Sequence, residues 1–185
     1  MSSSAASQRQ PGWADVKTKL ATFDRKSLVG LVHDLYQAST ANRRFLHGRL
    51  LPSTSTLDKY RQLVADAVFP DPFSRRRVSL RDATAAITEY RRSTGDVTGT
   101  VDLMLTFIEP GTEQAADLGY GDEDYFSALE NKVDAVAKCW PTLSAEARAQ
   151  AATRLACVRA RAKDIGWGYG DYLDHVVARL KKSGA

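Results

Sequence analysis

The chain has 185 residues, of which 43% are hydrophobic and 26% are charged, a composition that is typical of globular proteins and excludes wholesale disorder. Its 26 basic and 22 acidic residues leave a net charge of +4, which falls well short of the dense basic surface of a dedicated nucleic-acid binder. The two cysteines, Cys139 and Cys157, lie in segments predicted as helices, in a chain without a secretory signal, so we expect two small buried thiols and no disulfide framework.

The N-terminal segment, residues 1–12, is rich in Ser, Ala and Gln and lacks the apolar stretch of a secretory signal. We predict that this segment is a disordered tail. No apolar run in the sequence reaches the roughly 20 residues that a membrane-spanning helix needs, so a membrane partner is not expected. A cytoplasmic location is the resulting expectation.

Apolar residues recur at helical spacing from Trp13 onwards. Asp24 is placed to cap one helix, a second is predicted over residues 42–51, and a third spans about 54–68. The two prolines within residues 69–73 predict a loop, because prolines so close together cannot lie inside a helix.

The middle of the chain predicts two more helices. Ser79 is placed to cap the first, which ends near the break at residues 93–96. The apolar segment 101–108 contains β-branched residues and is conceivable as a strand, but its spacing fits a helix and no pairing partner lies nearby. Pro110 and Gly111 are predicted to end it.

The last third has the most regular pattern. An apolar stripe begins at Tyr125, Ser144 starts a second helix, and a final helix follows Asp171. About eight helices result, joined by short connections that make consecutive helices antiparallel neighbours. The predicted fold is all-α: a single domain over residues 13–182, built of antiparallel helix pairs as a bundle or a short HEAT-like α-solenoid, with residues 69–78 as the candidate internal boundary.

One motif occurs twice. Residues 116–122 (ADLGYGD) resemble residues 163–171 (KDIGWGYGD), with an offset of 47 residues between Asp117 and Asp164, which is within the range of two-helix repeats. In each copy we expect glycine to close one helix in the left-handed conformation and aspartate to cap the next. The same residues are also ordinary helix punctuation, so a common origin of the two copies stays open.

The aromatic residues of these two corners are the candidate binding residues, because Tyr and Trp are enriched at protein interfaces. They are Tyr120, Trp167 and Tyr169.

No catalytic or metal-binding motif is recognisable. The three histidines have no second His or Cys three or four residues away, and the chain has no phosphate-binding loop, nucleophile elbow or calcium-binding loop. We therefore expect no metal, no cofactor and no catalytic residue, although residues gathered only by the fold could still make an enzyme. A pocket that holds two or more of five side chains would indicate one: His33, Glu89, Glu109, Glu130 and Cys139.

Arginines cluster at two places. Arg75, Arg76 and Arg77 form a triplet in the predicted loop, and Arg91 and Arg92 end a predicted helix. Together these residues are the candidate contact for a nucleic acid. Because acidic residues are almost as numerous in the chain, a solvated charge run is the favoured interpretation.

Three segments resemble a family of small bacterial proteins that is defined as a domain of unknown function. They are the helical pair at residues 24–50, the apolar segment ending in FIEPG at 107–111, and the two glycine-rich corners. The resemblance covers about residues 15–182. It implies a helical fold and a bacterial source, and it assigns no functional residue.

These observations favour a non-enzymatic, helical protein-binding or scaffold protein whose partner is another protein. The alternative is a nucleic-acid-binding protein that uses the arginines of segment 75–81 together with Arg91 and Arg92.

Overall fold

The computed structural model of the chain describes residues 11–51, 54–71, 73–74 and 76–183. These residues form nine α-helices and no strand, which confirms the all-α prediction with one helix more than expected. The predicted tail, residues 1–12, falls outside the described residues except for its last two. The helices are α1 (Trp13–Leu20), α2 (Arg25–Ala38), α3 (Thr40–Leu50), α4 (Thr54–Val68), α5 (Leu80–Thr94), α6 (Val97–Leu118), α7 (Glu123–Cys139), α8 (Ala145–Arg161) and α9 (Tyr169–Ser183), with a 3-10 turn (Trp140–Thr142) between α7 and α8.

The chain divides into two compact units, which we call unit 1 (Met1–Leu46) and unit 2 (His47–Ala185). The division falls within α3. Helices α4 and α5, on either side of the 69–78 loop, pack against each other inside unit 2.

Most predicted helix starts are confirmed by side-chain caps. The carboxylates of Asp24 and Asp122 accept hydrogen bonds from the backbone N–H groups three residues ahead, at 2.7 and 2.9 Å. Ser79 and Ser144 accept the equivalent bonds at the starts of α5 and α8. Each cap satisfies a backbone donor that would otherwise have no partner within the helix.

Unit 2 is a stack of three helical hairpins: α4 with α5, α6 with α7, and α8 with α9. Within the middle hairpin the helices are antiparallel, because the Tyr125 hydroxyl donates to the carbonyl of Gly111, whereas Lys132, further along α7, lies over the ring of Phe107, further back on α6.

The first helices of the three hairpins run parallel and form one layer. Arg61 of α4 binds Asp102 of α6, and Val68 approaches Gly111, so residue numbers rise together along both helices. The same holds between α8 and α6, where Arg154 binds Glu109 and Arg161 binds Asp117. These contacts between hairpins are consistent with the predicted all-α bundle.

The core of unit 2 is centred on α6, which contacts α4, α5, α7 and α8. Its side chains Leu103, Phe107 and Ile108 are fully buried. The central position of α6 explains why its sequence is apolar on nearly all sides instead of along one stripe.

The prediction that Pro110 and Gly111 end a helix is wrong, because α6 continues to Leu118. Proline removes one backbone hydrogen bond and crowds the preceding turn. Gly111, Thr112 and Ala115 are nevertheless buried against neighbouring helices, and this burial requires the helical path to continue. Tertiary packing therefore outweighs the local preference at this position.

Candidate functional site

The first glycine-rich corner joins α6 to α7 and has the predicted geometry. Gly119 ends α6 in the left-handed conformation, with φ of 61°, and Gly121 also has a positive φ, 132°. Asp122 then caps α7. The aromatic residue of this corner, Tyr120, is 44% exposed.

The second corner joins α8 to α9 and departs from the prediction. Helix α8 already ends at Arg161, before the Asp-Ile-Gly segment, and the left-handed residues are Trp167 and Gly168, with φ of 64° and 74°. Helix α9 begins at Tyr169, so Asp171 lies in its first turn instead of preceding it. The two corners thus share a sequence pattern but not a backbone path.

Tyr169 requires a correction, because its side chain is fully buried and belongs to the core instead of a binding surface. Its hydroxyl lies 3.0 Å from the Thr112 hydroxyl, and its ring packs against that of Phe126, with ring centroids 5.6 Å apart. Burial raises the pKa of the Tyr169 hydroxyl. Tyr169 therefore stays neutral and joins α9 to α6 and α7.

The two corners lie side by side because α6 and α8 run parallel and end at the same edge of the layer. An ion pair between Arg161 and Asp117 links the two helix ends. Between the corners lies an open cavity of about 410 Å³, to which Tyr120, Asp164 and Trp167 contribute walls. We call this the corner pocket. At 65%, Trp167 is the more exposed of its two aromatic residues at the rim.

The two segments that form the corners are acidic overall, although the charged side chains in the wall of the corner pocket are Asp164 and Arg161, and Arg161 pairs with Asp117. Residues 115–124 contain four acidic residues and no basic one, and residues 161–171 contain two of each, so the two corners together carry a net charge of −4. The C-terminal ends of α6 and α8 add partial negative charge from their helix dipoles. Exposed aromatic faces beside negative charge attract cations, most strongly the side chains of Lys and Arg.

The candidate arginines that the structure describes lie toward the two ends of α5. Arg75 lies outside the described residues. Arg76 approaches Asp66 at 3.8 Å, and Arg77 precedes α5, while Arg91 and Arg92 lie near its other end. The length of α5 separates the two groups by about 18 Å at 1.5 Å per residue.

The net positive charge of the chain lies in residues 1–46, which do not include the candidate arginines. Residues 1–46 hold seven of the 26 basic and three of the 22 acidic residues, so residues 47–185 hold 19 of each and are neutral overall. The net positive charge of the chain therefore lies in unit 1, and nucleic-acid binding through the candidate arginines stays a prediction.

One charged cluster was missed from the sequence. Asp102 of α6 binds two arginines, with Arg61 Nε at 2.6 Å and Arg154 Nη1 at 2.9 Å. Arg154 also binds both carboxylate oxygens of Glu109, at 2.6 and 2.7 Å, and Arg61 binds Asp58 at 2.6 Å. The cluster ties α4, α6 and α8 together beside a second open cavity of about 540 Å³.

Each arginine of this cluster is paired with two carboxylates, which points to a structural role. Burial by itself lowers the pKa of Arg154, but the hydrogen bonds and charges of Glu109 and Asp102 raise it overall. A sequence signal for part of the cluster does exist. The spacing is about two helical turns both between the acidic residues at 102, 109 and 117 and between the arginines at 154 and 161. An equal spacing of opposite charges on two helices is what ion pairing between parallel neighbours needs.

Two cavities of unit 2 can be checked for the five side chains that would indicate an enzyme. The corner pocket and the cavity beside Asp102 contain none of them, and no group of three His, Cys, Asp or Glu residues in the described ranges could hold a metal ion. Cys139 is half-buried and Cys157 is exposed, so the expectation of two buried thiols is wrong for Cys157. Among the described helices, none is long and apolar enough to cross a membrane.

Comparisons with protein-family models, curated proteins and solved structures gave no match to this chain. Membership of the small bacterial family therefore stays a prediction, and function has to be argued from the geometry of the molecule.

Proposed function

We propose that the chain is a non-enzymatic protein-binding module whose corner pocket receives a Lys or Arg side chain from a basic segment of a partner protein. The observation that carries the proposal is the exposed Trp167 at a pocket whose wall includes Asp164 and whose two corner segments together have a net charge of −4. In this proposal Trp167 and Tyr120 contact the cation, and Asp164 pairs with it.

The conformation of Trp167 supports a role in binding. A non-glycine residue in the left-handed region costs about 1 kcal/mol, and the φ of Trp167 is 64°. At 65% exposure the side chain recovers little of that cost through packing inside this chain. Contact with a partner would recover it, because Trp is among the residues that contribute most to binding at interfaces.

Selection of random displayed peptides against the immobilised full chain tests the proposal. We expect the enriched peptides to contain Lys or Arg, and their affinity to fall when those residues are replaced by Gln. The substitution Trp167→Gly should weaken the best peptide by about tenfold, or about 1.4 kcal/mol, in a fluorescence anisotropy titration.

Glycine is the informative replacement because it accepts a left-handed backbone without strain. Trp167→Gly should therefore be at least as stable as the parent, so a loss of binding cannot be attributed to unfolding. The matched control is Trp13→Ala, which removes an equally exposed tryptophan from unit 1. Enrichment of peptides without basic residues, or equal binding by the Trp167→Gly variant, would contradict the proposal.

A further inference from the structure

Unit 1 exposes an apolar helix face that nothing in unit 1 covers. Helix α2 carries its large aliphatic side chains within an arc of about 160° at 100° per residue. Their exposure ranges from 37% to 62%, and α2 has no buried residue. They are Leu28, Val29, Leu31, Val32 and Leu35.

Large apolar side chains are exposed on α1 and α3 as well. Trp13 and Val16 of α1 are exposed, and so is Phe45 of α3. No side chain that the structure describes in residues 11–46 is buried, so the three helices form no core of their own. Short helices gain most of their stability when their apolar face packs against something. An exposed apolar face of this kind therefore indicates a surface that binds a partner or a membrane.

Unit 1 also carries the whole net charge of the protein. Its seven basic and three acidic residues leave a net charge of +4, so basic residues outnumber acidic ones by more than two to one within the unit. In α1, Lys17 and Lys19 flank the apolar positions 13, 16 and 20. Cationic side chains at the border of an apolar stripe are typical of helices that lie in the plane of a membrane surface.

We infer that unit 1 binds the surface of an anionic lipid bilayer, with the apolar face of α2 at the boundary between headgroups and acyl chains. The basic side chains contact the anionic headgroups. The expectation of no membrane partner rested on the absence of a spanning segment, and a surface-bound helix needs none. The inference concerns unit 1 and is independent of the corner pocket in unit 2.

A second copy of the chain fits this face less well. Two units of charge +4 repel each other. Helix α2 has 14 residues and is about 21 Å long, so its face offers roughly half of the 800 Å² per partner that a stable dimer buries. A bilayer surface has no such minimum area, and it is flat enough to accept helices that do not pack on one another.

Co-sedimentation of the full chain with lipid vesicles tests the inference. We expect binding to vesicles that mix phosphatidylcholine with phosphatidylglycerol, weaker binding as salt is raised, and little binding to phosphatidylcholine alone. The double substitution Leu28→Asp with Val32→Asp should lower binding at least tenfold.

The matched control carries the same charge change on the opposite face of α2, as Gly30→Asp with Gln37→Asp, where a new side chain at position 30 meets nothing within 4 Å, and it should retain most of the binding. The thermal unfolding of unit 2 should be unchanged in both variants. Failure to bind anionic vesicles, equal binding to neutral ones, or equal losses for both double variants would overturn the inference. So would light scattering that shows a dimer which only the Leu28→Asp, Val32→Asp variant dissociates, because the occupant would then be a second copy.

Discussion

Replacement of Asp102 by Ala should destabilise unit 2 by about 2 kcal/mol. The carboxylate accepts one hydrogen bond from Arg61 and one from Arg154, at 2.6 and 2.9 Å. Hydrogen bonds to charged groups contribute about 1.5–3 kcal/mol each. The side chains of Arg61 and Arg154 are 43% and 29% exposed. Solvent screening therefore reduces the combined contribution of the two hydrogen bonds to the free energy of unfolding to about 2 kcal/mol.

The loss should not exceed that value, because both arginines keep a second partner. Arg61 retains Asp58 and Arg154 retains Glu109, so neither is left as an uncompensated buried charge. The isosteric change Asp102→Asn keeps the acceptor oxygen but loses the charge, and it should give an intermediate loss.

Urea unfolding followed by far-UV circular dichroism measures the effect, and the control is Asp58→Ala. Asp58 binds the same Arg61 at the same distance, but its side chain is 60% exposed, so its removal should cost less than about 0.5 kcal/mol. If Asp102→Ala costs no more than Asp58→Ala, the cluster does not hold the three helices together and the reasoning is refuted.

Two further substitutions test the packing and the electrostatics of unit 2. Gly111→Ala should cost about 1–2 kcal/mol by urea unfolding, because the new Cβ would lie 2.7 Å from Leu129 Cδ2, whereas Gly166→Ala, with nothing within 4 Å of its Cβ, should be nearly neutral. Burial, and next the charge of Asp134, raise the pKa of Glu130, so the fold favours its protonated form. Glu130→Gln should therefore raise the stability at pH 7, and the gain should fade as the pH is lowered through the pKa of the carboxyl group; an equal gain for the exposed Glu113→Gln at pH 7 would contradict this.

Local rules predicted the helix starts well because a cap needs only nearby atoms. Asp24, Ser79 and Ser144 each bond to an N–H three residues away, so sequence alone contains the whole interaction. The same rules were wrong at Pro110, where the local cost of proline is outweighed by burial against other helices. That burial depends on helices distant in sequence, so the local sequence cannot predict it.

The corners show the same limit on a smaller scale. The sequence pattern predicted one geometry for both, but α8 ends at Arg161 and the left-handed position moves to Trp167. In the second copy, Tyr169 takes the buried site beside Thr112 and Phe126, which leaves Trp167 as the exposed aromatic residue. Which of two aromatics is buried depends on the neighbouring hairpin, and the sequence around the corner does not contain that information.

The distribution of charge separates the roles of the two units. In unit 2, Arg61, Arg154 and Arg161 each form an ion pair with a carboxylate of a neighbouring helix. The net charge of unit 2 is zero. Unit 1 has an excess of positive charge and no buried side chain. The helices of unit 1 form no core, and their excess positive charge is available to an external anionic surface. The two corner segments of unit 2, by contrast, have a net charge of −4 and favour a cationic partner, so the two proposed contacts attract opposite charges and should respond to separate substitutions.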